Sequence, residues 1–163
     1  MGAEGTVGRL IDQERAVCAD LETVLLAERE ALESFSSEAV SRCVREKSAL
    51  QGELARLVQS RRQAVRMLAG ELGMDTDDGR IVPLLQRLPL PVATQLREAV
   101  GALRKGLIRT RRIQRVNGAL IDESLRLVGE VIQAYSQFLP GTRYDRRAMV
   151  KIGPTPDGID QRA

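Results

Sequence analysis

Histidine and tryptophan are missing from this chain of 163 residues, and its aromatics amount to two phenylalanines and two tyrosines. Without histidine it lacks the commonest general base and a ligand that four-helix carboxylate metal sites usually need. A core with so few rings must be built from Leu, Val, Ile and Ala. No apolar run approaches the roughly 18 residues of a membrane span, so no membrane insertion is expected. The opening MGAEGTVGRLID also lacks the basic start and apolar stretch of a secretory signal. A cytoplasmic location is therefore expected. No phosphate-cradling Gly-rich loop occurs either, and the expectation is a non-enzymatic protein with no catalytic residue, cofactor or metal.

What remains is rich in Ala, Glu, Arg and Leu and poor in alternating β-branched runs, which points to an all-α, coiled-coil-like bundle. Helices are expected over about residues 6–35, 37–72, 81–88 and 91–139, forming one domain over 1–152 before a disordered tail, 153–163. The formal charge of +3 is unevenly spread. Residues 1–37 carry eight acids and three bases, whereas 92–117 carry seven bases against the single acid Glu98. One helix is acidic and another basic, and mutual neutralisation across a bundle is the plain reading.

The first two helices read as a hairpin. In the first, Ile11, Cys18, Leu25 and Leu32 share heptad position a, and Glu14 and Glu28 interrupt the d row. In the second, Lys47 and Arg61 interrupt the a row in the same way. If the chain turns back near Ser36 and Ser37, facing residue numbers add up to about 75. Leucine then meets leucine, Glu28 meets Lys47 and Glu14 meets Arg61. Such pairs add little net stability, but a slipped register would set each charge against a leucine, so they act as structural register pairs. Cys18 and Cys43 lie about 14 residues apart along this hairpin, roughly 20 Å, too far for a disulfide. Both read as small apolar core residues.

A capping-rich loop at 74–79 leads to a short crossing segment whose edge is Leu84, Leu85 and Leu88. Pro91 then suits the start of the long fourth helix. The first half of that helix is narrow, with Ala93, Leu96, Val100, Leu103 and Leu107 on the core seam and arginines beside it. Around Thr110, Gln114 and Asn117 the seam turns polar. Beyond Asn117 the apolar stripe widens: Ile121, Val128 and Tyr135 at a, Val131 and Phe138 at d, Leu125, Ile132 and Leu139 at e, Leu120 and Leu127 at g. An ordinary core-facing helix has about three apolar positions in seven, and this stretch has close to four. One neighbour cannot cover it, and with glycines at 118 and 129 the outer half is expected to be pliable or paired with another molecule.

Three features together resemble the FlgN family of flagellar type III export chaperones. They are the hairpin with Glu28, Lys47, Leu50, Leu54, Leu57 and Arg61-Arg62; the block Asn117-Gly118-Ala119-Leu120-Ile121 with Ser124-Leu125; and Tyr144 beyond the helix. The resemblance implies a cytoplasmic chaperone that binds hook-filament junction (hook-associated) proteins before secretion. It implies that Asn117, Leu120, Ile121, Leu125, Val128, Val131, Ile132, Tyr135 and Leu139 hold the amphipathic C-terminal segment of such a client. It also implies that Tyr144 contacts the cytoplasmic platform of the export gate, although Asp145-Arg146-Arg147-Ala148-Met149 departs from the small residues usual there. Two rival readings stay open: a nucleic-acid-binding helical protein using Arg104 to Arg115, weakened by the lack of aromatics near those bases, and a plain oligomeric coiled coil whose wide stripe serves self-association through the C-terminal helix.

Overall fold

The computed structural model describes residues 2–74, 80–138, 142–144 and 150–152. Its class is all-α. Helix α1 spans Ala3–Glu33, α2 spans Ser37–Glu71 and α3 spans Leu90–Phe138. A two-stranded antiparallel ribbon, β1 (Thr142–Tyr144) against β2 (Val150–Ile152), follows them. Periodicity could not flag strands of three residues, which are too short to show alternation. Residues 1–119 and 120–163 form separate compact units.

The hairpin turn is built from its own sequence. The N–H groups of Phe35 and Ser36 donate to the carbonyls of Leu32 and Ala31, the paired bonds of a Schellman motif, and they satisfy two orphaned acceptors at the end of α1. That motif requires a left-handed residue, and Phe35 adopts it at φ 54°. Ser36 then caps α2, its Oγ accepting from the Ala39 N–H at 3.4 Å. The same motif ends α2: Gly73 and Met74 donate to Gly70 and Ala69, with Gly73 at φ 65°. Here the left-handed position is a glycine, as expected of a helix end.

Two ion pairs lock the hairpin: Lys47 Nζ to Glu28 Oε1, and Arg61 Nε to Glu14 Oε1 at 2.6 Å. Both have residue numbers adding to 75 and lie 14 positions apart on each helix. Of α1, nine residues are buried, against five of α2. The first helix is therefore the shared one, covered on two sides. Its second neighbour is the inner half of α3. Leu96 reaches Gly8, Gly106 lies under Cys18, and Arg109 Nε donates to Glu22 at 3.1 Å. Each pair differs by 87 or 88 in residue number, so α3 runs parallel to α1 and antiparallel to α2.

The apolar core is concentrated where α1 begins and α2 ends. Val7, Ile11, Val65 and Leu68 are buried there with Leu84, Leu85, Ala93 and Leu96. The short crossing helix expected over 81–88 is instead a single 3-10 turn, Leu84–Gln86. Prolines at 83 and 89 leave too few residues between them for repeated i to i−4 bonds. It still seals the core, because Ile81, Leu84 and Leu85 are all buried. Helix α3 then starts one residue before Pro91, with the Pro89 carbonyl accepting from the Ala93 N–H at 2.9 Å.

Candidate functional site

Within α3 the sequence divides by composition, and so does burial. In the inner half, Ala93, Leu96 and Leu103 are buried, and Arg97, Arg104, Lys105, Arg111, Arg112 and Arg115 are exposed. The polar end of the seam is buried too. Thr110 turns its hydroxyl back to the carbonyls of Gly106 and Leu107 in its own helix, which satisfies it without a partner helix.

Asn117 is 1% exposed and uses its amide on α1. Its Nδ2 donates to the Leu25 carbonyl at 2.8 Å and to Glu28 Oε2 at 3.0 Å. Since Glu28 Oε1 accepts from Lys47, one carboxylate joins all three helices. Reading the sequence paired Glu28 with Lys47 but missed Asn117 as the third member. The available signal was a polar residue at d flanked by apolar a and d positions.

The unit from Leu120 onward presents the other residues singled out in the sequence. Leu120 and Ile121 are half-buried, whereas Leu125 is 66% exposed, Val128 and Val131 each 55%, Ile132 45% and Tyr135 68%. Leu127, placed in the apolar stripe but not among the client-binding residues, is 48% exposed on the same helix. Apolar side chains at this density, uncovered over three turns, form a contiguous apolar face rather than scattered surface residues. The polar side is self-satisfied: Arg126 bridges Glu123, at 2.6 Å, and Glu130. Its hydrogen bond holds the Glu123 carboxyl below the ordinary value and raises the Arg126 guanidinium in return. Leu139 lies outside the described residues. Tyr144 is placed by its backbone in β1, and its side chain lies outside what the structure describes.

Burial first, and then the Glu14 charge, raise the Cys18 thiol above its ordinary value. Among the described residues no group of three His, Cys, Asp or Glu side chains is placed to hold a metal. No described helix is long and apolar enough to cross a membrane. An open groove of about 1080 Å³ runs between α1 and α3, floored by Gly5, Gly8, Ala16, Ala99 and Ala102 and rimmed by charges of both signs. Its small residues let the two helices approach closely.

A family model described as FlgN protein matches residues 1–151. Neither a curated protein nor a solved structure matches the chain.

Proposed function

The chain belongs to the FlgN family of flagellar export chaperones, and from that premise we propose that it holds the C-terminal amphipathic segment of hook-associated junction proteins in the cytoplasm before their export. The observation that carries this reading is the uncovered apolar face of α3 at Leu125, Val128, Val131, Ile132 and Tyr135. An amphipathic client helix laid along it would exclude water from both partners, at about 25 cal/mol per Å² of apolar surface. Ile121 and Leu120, half-buried in the free chain, extend the face toward Asn117.

In this reading the protein does no covalent chemistry. Release follows from competition at the export gate, where Tyr144 docks on the cytoplasmic platform. The test is capture of a junction protein's C-terminal peptide by the full chain. Ile121→Asp with Val128→Asp should abolish capture and leave helical circular dichroism intact. Unchanged affinity would sink the proposal.

A further inference from the structure

Asn117 is a costly residue for its place. Its Oδ1 is buried without a hydrogen-bond partner among the described residues, although its Nδ2 makes two bonds to α1. A leucine there would bury more apolar surface and orphan no acceptor. A polar group kept in a helical seam at such a cost serves to select one alignment over others, as buried asparagines do in coiled coils.

We infer that Asn117, with Glu28 and Lys47, is a register lock: a positioning residue that holds α3 at one offset along α1. The remaining contacts between these two helices discriminate less: the Arg109–Glu22 ion pair is largely exposed on its arginine side and worth little. Leu96 against Gly8 and Gly106 against Cys18 are small-residue approaches that any heptad-spaced apolar pair would imitate. The buried Asn117 amide is matched at this offset by the Glu28 carboxylate and the Leu25 carbonyl together. Moving α3 by one heptad toward its own N-terminus would set Asn117 beside Leu21 and leave Glu28 with Lys47 alone. The lock therefore decides how much of α3 the hairpin consumes. That functional consequence rests on the client reading; the lock itself does not.

Disulfide trapping in the full chain reads the offset directly. A Cβ at position 106 would lie 3.7 Å from the Cys18 Cβ, within the disulfide range of roughly 3.5–4.5 Å. With Cys43→Ala throughout, Gly106→Cys reports the native offset, and Ala99→Cys and Ile113→Cys report slips of one heptad either way. With Asn117 in place only position 106 should cross-link. In Asn117→Leu a shifted pair should gain by about tenfold or more, the effect of one lost bond to a charged group, with the melting temperature unchanged or raised. If Asn117→Leu does not fold, Asn117→Ala is read on the same pairs. Cross-linking confined to position 106 in the folded variant overturns the lock. Shifted cross-links with lowered peptide capture, restored by the 18–106 disulfide, support both readings. Shifted cross-links with unchanged capture support the lock and count against the client face.

Discussion

Lys47 shows how much a single side chain carries in this bundle. It is 19% exposed in its ion pair, whereas its partner Glu28 is 1% exposed. Lys47→Met would leave a buried carboxylate with only the Asn117 amide beside it. The expected loss is about 3 kcal/mol, the low end for breaking a buried pair because water still reaches Lys47. Glu28→Leu combined with Lys47→Leu should cost far less, since the charge and its desolvation leave together. Urea denaturation of the two variants separates these outcomes; equal losses would contradict the argument. Both pairs of the hairpin were legible in the sequence, because opposite charges interrupt two apolar rows at the same spacing. The partner of Asn117 was not. An amide that donates to a backbone carbonyl, as Asn117 does to Leu25, leaves no mark in the side-chain pattern of the accepting helix.

The hairpin turn sets local strain against tertiary need. Phe35 is 84% exposed and holds φ 54°, where a side chain costs about 1–2 kcal/mol relative to the right-handed region. Phe35→Gly removes that cost and gives back part of it by loosening the unfolded chain. The variant should be more stable by about 0.5–1 kcal/mol, visible as a higher thermal midpoint. A lower midpoint would mean that the ring contributes packing its exposure does not suggest. The serine cap on α2 and the glycine end at Gly73 each use a residue type suited to one backbone task. The crossing segment could not be read as well. Leucines at 84, 85 and 88 fit a helical edge, but periodicity over so few residues cannot separate an α-turn from a 3-10 turn held between prolines. The parallel offset of α3 on α1 was equally hidden, because the Gly8 approach to Leu96 carries no charge and Arg109 is one of seven bases that could have met Glu22.

For the molecule as a whole, the composition of α3 was the most informative part of the sequence. The wide stripe beyond Asn117 was visible as surplus apolar positions, and those from Leu125 to Tyr135 are exposed. We expect a face of this kind to pair with a second copy of the chain when no client is present. Sedimentation should show mass rising with concentration and returning to the monomer value when a junction-protein peptide is added. Val128→Asp should remove the rise, and concentration-independent mass in the unmodified chain would count against self-association. The central position of α1 has a further consequence, one of timing. Its contacts with α2 are complete once residue 71 has been made, but Glu28 meets Asn117 only across a separation of 89 residues. At translation rates of roughly 5–20 residues per second, that carboxylate leaves the ribosome about 4–18 s before its second partner. Until then α1 and α2 are outside the ribosome without α3, and the Glu28–Lys47 and Glu14–Arg61 pairs are the polar contacts on hand to align them.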